Sequence, residues 1–251
     1  MARWLMLPAL LLLAVPFVTL LGITPWRHFR LAWGDDGAIA VSVGLGLVAI
    51  LLVVALGLPT ALWLSRAQGR RRWLVELLVT IPLLTPPLAM GIVLVSSYGP
   101  YSPLGSLLYR AGVALVNNPA AFVVAQVYGA LPYFITSARS AFAGIPLTVD
   151  EAGRILGATA WQRLIHLTLP LAAPGLAAAV AIAWVRAVGE FGIVMIFAYF
   201  PQGIPVKLYV NLQNDGVDAV YALVWLLLAI ALPLPLLCFG WAAKKNAHGD
   251  A

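Results

Sequence analysis

Charge is scarce in this chain. Its 15 Lys and Arg and 9 Asp and Glu make up 10% of 251 residues, where an average soluble domain carries about 25%. So few charges cannot cover a water-facing surface. There is one cysteine, Cys238, so no intrachain disulfide and no cysteine-based metal site can form. The three histidines, His28, His166 and His248, never fall into the His-Glu-x-x-His spacing of a helical zinc site. None of Lys207, Lys244 and Lys245 follows a glycine, which removes the phosphate-cradling loop of P-loop ATPases. No serine lies in Gly-x-Ser-x-Gly, so a serine hydrolase of that type has no support. The chain carries no sign of catalysis of its own.

What it has in excess is apolar residues: 63%, with mean hydropathy +0.97. Six uncharged runs, each 22 residues or longer, span Trp4 to Trp26, Gly37 to Ser65, Leu77 to Tyr109, Ala111 to Ala138, Leu164 to Val185, and Ala219 to Ala243. About 20 apolar residues cross a bilayer as a helix. The pattern predicts an all-α polytopic membrane protein with six transmembrane helices. Turn residues at Tyr98 to Pro103 and at Asn117-Asn118-Pro119 trim the third and fourth runs. Arg3 before the first run suggests a signal peptide, but that run is long for a signal core and shows no small-x-small cleavage pattern. It is read as a retained span.

A net charge of +6 and pI near 9.8 raise nucleic acid as a partner. The basic residues, however, sit between the apolar runs instead of along one polar face, which points to membrane orientation. An inside N-terminus gives the cytoplasmic side Arg3, Arg66, Arg70, Arg71, Arg72, Arg139, Arg154, Arg163, Lys244 and Lys245. The outer side receives Arg27, Arg30, Arg110 and Lys207. This asymmetry predicts both termini inside. No internal repeat is visible, and residues 1–251 read as a single all-helical transmembrane domain in contact with lipid, with a cytoplasmic insertion from Arg139 to Leu169.

Within that insertion Thr148 and Glu151 have capping-box spacing, and Asp150 with Glu151 places negative charge at a helix start. Gly157 suits a left-handed helix end, and Thr159 with Gln162 repeats the capping-box spacing. Two short helices joined at an angle are predicted. Capping alone points first to a loop that packs beneath its own spans. Glu151-Ala152-Gly153, then Gly157, Leu167, Leu169 and Pro170, resembles the EAA signature of ATP-binding-cassette importer permeases, with Gly153 and Leu167 as its two departures.

That resemblance implies the type I importer permease fold and makes the segment at about 146–170 a coupling helix that docks on a separate cytoplasmic ATPase. Glu151, Ala152, Gly153, Gly157, Ala158, Leu169 and Pro170 are its candidate residues, with small side chains permitting close approach of the partner. It also implies a homodimer, two ATPase subunits that bind ATP and magnesium, a solute-binding protein outside, and no cofactor in this chain.

Pro170 to Phe200 covers 31 residues, about 46 Å as a straight helix, against roughly 30 Å of hydrocarbon. It cannot be one plain span. Gly189 and Gly192 invite a break, and Arg186 and Glu190 lie four apart on one helical face. Charges at this depth face a bundle interior or a wet path. Arg186 is open to a structural ion pair or a pathway role, while Glu190, on the glycine break, reads as a gate. The stretch Arg186 to Gly192, with Gly189-Glu190-Phe191-Gly192, resembles the oxyanion permeases for molybdate, tungstate and sulfate.

Pro86-Pro87-x-x-x-Gly91, Pro103-Leu104-Gly105 and Ser137 to Ala141 resemble further stretches of the molybdate type, from about Leu45 onward. The outer loop from Tyr199 to Asp218 departs from it, which leaves sulfate, phosphonate and other small anions as alternatives. An ion-driven secondary transporter would need no coupling segment. A membrane enzyme would need Glu190 and His166 to meet, and they are predicted at different depths.

Overall fold

The computed structural model describes residues 6–249; Arg3 and the start of the first run lie outside the described residues, as do the side chains of Lys245 and His248. Among the described residues every regular element is helical. Four helices are long and apolar enough to cross a membrane, and a fifth span is formed if one bent pair is counted as a unit. The spans are Asp35–Arg66, Pro119–Ala143, Ala160–Val188 and Val217–Ala242, with the bent pair as the fifth. In chain order the helices begin with α1 (Leu7–Ile23), α2 (Asp35–Arg66), the bent pair α3 (Gly69–Leu84) and α4 (Pro87–Tyr98), α5 (Pro103–Arg110), and α6 (Pro119–Ala143). Then come α7 (Leu147–Ile155), α8 (Ala160–Arg163), α9 (Leu169–Val188), α10 (Gly192–Phe197), α11 (Ile204–Asp215), α12 (Tyr221–Ala231) and α13 (Pro233–Gly249).

Prolines start several of these helices because a first-turn residue has no intrahelical partner for its N–H. At α5 and α6 a side chain completes the start: Ser102 Oγ accepts from Gly105 N at 2.8 Å, and Asn118 Oδ1 accepts from Ala121 N at 2.8 Å. These are the turn segments expected from the sequence.

Three details differ from expectation. The third apolar run ends at Tyr98 as expected, but a bend of 114° separates α3 from α4. Pro86 forces Thr85 out of helical conformation and Pro87 supplies no N–H, so the helix cannot continue. The segment after Tyr199, expected as a loop, contains α11. It is held to α2 by buried polar bonds, Asn211 Nδ2 to Asp35 Oδ1 at 2.9 Å and Ile204 N to Ser42 Oγ at 2.7 Å. The cap of α7 is at Pro146, not Thr148, and no side chain caps it. Pro146 places the helix start before the Thr148 hydroxyl reaches a capping position.

The core is built from small residues. Ala49, Ala61, Ala130, Ala138, Ala179, Ala183 and Ala187 are buried where α2, α6 and α9 meet. A Cβ on Gly57 would lie 2.4 Å from Phe134, and one on Gly175 would lie 2.4 Å from Ala141. Close backbone approach of this kind holds membrane helices together where apolar burial gives no advantage over lipid. The outward faces are apolar instead: Leu12 is 76% exposed and Leu51 is 70% exposed. A water-facing protein does not display such a belt.

Acidic side chains pair with arginines at one end of the bundle. Glu76 accepts from Arg72 at 3.1 Å and from Arg139, and Asp150 pairs with Arg163 at 2.9 Å and Arg66 at 3.6 Å. Four of the predicted cytoplasmic arginines, Arg66, Arg72, Arg139 and Arg163, are therefore held in ion pairs, one carboxylate being on α7 and one of the arginines on α8.

Candidate functional site: a surface segment linked to a helix break

The segment from Leu147 to Thr168 folds as two short helices joined at Gly157. Gly157 has φ +77°, the left-handed conformation glycine adopts without a Cβ penalty. Thr159 and Gln162 form the reciprocal capping box that starts α8. Asp150 is the hub. Its carboxylate accepts from Arg163 and faces Arg66 of α2, while Arg163 also donates to Ala158 O at 2.7 Å. The hydrogen bond from Arg163 holds the Asp150 carboxyl below its ordinary range, because it favours the charged form.

Among the candidate coupling residues, Glu151, Ala152 and Gly157 lie on the exposed side, while Ala158 is half-buried. Gly153 does not. It is buried, and a Cβ there would come within 2.9 Å of both Arg163 and Leu167. Its small size serves the packing of α7 on the following turn instead of a partner's approach. Leu169 and Pro170 open α9, and Leu169 packs on the main apolar cluster. Sequence reasoning missed the most exposed apolar side chains of the segment: Ile155 at 86% and Leu156 at 85%, with Trp161 also exposed. Two large aliphatic side chains at the end of an otherwise polar helix, just before a left-handed glycine, were the available signal.

α8 continues through a π-type turn at Leu164–Thr168 into α9, and the whole of Ala160–Val188 runs as one apolar span of 29 residues. As a rod it is about 42 Å long. One end is the surface segment; the other is the break at Gly189. α9 stops there with Gly189 N bonded to Val185 O at 3.0 Å, and α10 begins at Gly192. Between them Arg186 Nη2 donates to Glu190 Oε2 at 3.0 Å, and Glu190 Oε1 accepts from Ile193 N at 2.9 Å. The two charges expected on one face are therefore paired, and the carboxylate also caps the helix after the break. Gln126 of α6 donates to Ala187 O at 2.9 Å, steadying the last turn of α9.

The two chain breaks face one another. A Cβ on Gly192 would lie 2.6 Å from Pro87 Cβ, and one on Gly91 would lie 3.2 Å from Ile193 O. Gly129 of α6 leaves room for Glu190, since a Cβ there would be 2.8 Å from Oε2. Phe191 turns toward α11 and packs against Tyr209, with ring centroids 5.4 Å apart and the planes tilted by 49°. Arg186 lies over the ring of Tyr133, 4.8 Å from its centroid. Discontinuous helices whose ends meet inside a bundle are tolerated only where protein or a water-filled cavity surrounds them, and they occur at the binding depth of transporters. His166 is bonded to Gln162 O at 3.0 Å on the exposed surface segment, far along the rod from Glu190, so the two do not form an acid-base pair.

Comparison with known proteins agrees with this architecture. Residues 54–243 match the family described as "Binding-protein-dependent transport system inner membrane component". A probable molybdenum ABC transporter permease of Haloferax volcanii is 36% identical over 196 residues, 78% of this chain and 71% of that protein. The molybdenum transport system permease ModB of Mycobacterium tuberculosis is 33% identical over 91% of this chain and 90% of its own length. Among solved structures, a chain of a bacterial alginate ABC transporter overlays with TM-score 0.74 at 18% identity, covering 94% of this chain and 92% of that one. A chain of the MetNI methionine ABC transporter gives 0.67 at 19%, covering 84% and 96%. The chain belongs to the binding-protein-dependent transport permeases, the membrane-embedded components of ABC importers.

Proposed function

We propose that this chain is the permease of an ATP-driven importer that carries molybdate, or the chemically similar tungstate, across the bacterial cytoplasmic membrane. It works as a homodimer with two cytoplasmic ATPase subunits, which bind ATP and magnesium, and with a solute-binding protein outside. Both termini lie inside. The single observation that carries the substrate is the similarity over most of the chain to permeases named for molybdenum transport, at 33% identity across 91% of its length.

The geometry supplies a mechanism for coupling. The ATPase grips Ile155 and Leu156 beside Glu151 and Ala152, and Asp150 ties the gripped helix to Arg163 and Arg66. Movement of α7 then crosses the Gly157 turn through the Asp150–Arg163 pair to α8, which runs into α9 without a break. At its far end the rod carries Arg186 and Glu190, so a shift at the cytoplasmic surface alters the packing of the two breaks. Gly189 to Gly192 forms the gate, Phe191 links it to α11, and Glu190 holds it by bonding both Arg186 and the start of α10. This chain performs no covalent chemistry.

The test is uptake of radiolabelled molybdate into proteoliposomes that contain the permease, its ATPase and the binding protein. Uptake that needs ATP and falls at least tenfold with Gly157→Asp supports the reading. Uptake that persists without the ATPase would instead establish a gradient-driven carrier.

A further inference from the structure

Where the two breaks meet there is a cavity of about 110 Å³, lined by Arg186, Tyr128, Tyr133 and Thr85 among prolines, Leu83, Gly129 and Ile193. We propose that it is a transit site for one tetrahedral oxyanion, with Arg186 as its cation and Glu190 as the charge that keeps its hold weak. The inference rests on the import function above and names the residues that meet the ion inside the membrane.

Three observations carry it. The lining contains a guanidinium and hydroxyl groups but no carboxylate, since Glu190 lies behind the wall beside Gly129. Donor capacity is left over: the Arg186 side chain stays 33% exposed while Nη2 holds Glu190, and its Nε, though without a hydrogen-bond partner, is shielded from the cavity. The Tyr133 hydroxyl makes no hydrogen bond among the described residues, and that of Tyr128 is shared with Tyr98 at 3.0 Å. Thr85 already donates to Ile81 O. The size is the third. Pockets for organic solutes start at roughly 300 Å³, so this cavity suits an ion of a few heavy atoms and excludes a sugar or an amino acid.

A bare arginine in low dielectric would trap a dianion. Conduction requires binding strong enough to admit the ion and weak enough to release it. Glu190 supplies that balance, as a positioning residue that orients the guanidinium and offsets part of its charge.

The experiment measures equilibrium binding of radiolabelled molybdate to the purified permease–ATPase complex without the binding protein. Glu190→Gln is expected to bind at least tenfold more tightly than wild type, and Glu190→Gln combined with Arg186→Lys to lose that gain. Equal binding by Glu190→Gln and the double variant overturns the site. If Glu190→Gln does not assemble with the ATPase, Tyr133→Phe decides: ions imported per ATP at least threefold below wild type support the site, and an unchanged ratio overturns it. Wild-type uptake run alongside separates the two conclusions. Loss of uptake by the wild type removes the import reading and the site with it, whereas normal uptake with equal binding removes only the site.

Discussion

Asp35 shows how a single buried charge is tolerated in this chain. It is fully buried, accepts from Asn211 at 2.9 Å and from Ala32 N at 2.8 Å, and fastens α11 to the start of α2. Removing the carboxylate strands the buried Asn211 amide, at about 1–3 kcal/mol, and leaves the half-buried Ala32 N–H without its partner. Asp35→Ala should therefore lower the melting temperature of the detergent-solubilised permease by several degrees, and an unchanged melting curve would show that α11 is held by something else. Gly129 makes the complementary point. A methyl group there would sit 2.8 Å from Glu190 Oε2, so Gly129→Ala should displace the carboxylate and, if the proposed gate is the Gly189 to Gly192 break, raise basal ATP hydrolysis in the complex. The sequence displayed Arg186, Glu190 and their glycines, because i,i+4 spacing is local information. It did not display Gly129, Tyr133 or Asn211, whose partners lie tens of residues away and are brought near only by helix packing.

At the scale of elements, the short helices of the surface segment were readable to within a few residues. The Gly157 turn and the Thr159 capping box are local devices, and both formed. The start of α7 was misread because Pro146 and Thr148 compete to define it, and the proline prevails. The bend at Thr85 and the helix α11 were harder to see. A proline pair inside an apolar run reads equally as a kink or a break, and α11 owes its place to bonds with Asp35 and Ser42 that no local pattern encodes.

The ion pairs make a prediction at this scale. Asp150, whose side chain is 20% exposed, is held by Arg163 below the ordinary carboxyl range. Its contribution to the ordering of the segment is fully present above the unfolded-state value of about 3.9 and is lost as pH falls through the lowered folded-state value. Protease susceptibility of the Gly157 turn should stay flat from neutral pH down to about 4 and rise only in stronger acid. In Asp150→Asn the turn should be susceptible already at neutral pH. A rise in wild-type cleavage near neutral pH would contradict the role given to Asp150.

At the scale of the molecule, the long apolar runs alone specify an all-helical membrane protein, and the arginines between them specify its expected orientation. Single-cysteine labelling in a Cys238→Ala background tests the orientation: position 70 should react only from the cytoplasmic side and position 215 only from outside, and the reverse pattern would invert the account. What the sequence could not convey is mechanical continuity. That α8 and α9 form one rod from the surface segment to the break at Gly189 depends on the π-type turn at Leu164–Thr168 carrying the helix through Pro170.

In the proposed mechanism an ATPase drives the rod at this surface segment. Site-specific photocrosslinking from position 156 in native membranes is the decisive test. A single adduct with a nucleotide-binding subunit is expected, with a yield that changes when ATP is added. Adducts with lipid alone, or with proteins that bind no nucleotide, would contradict it.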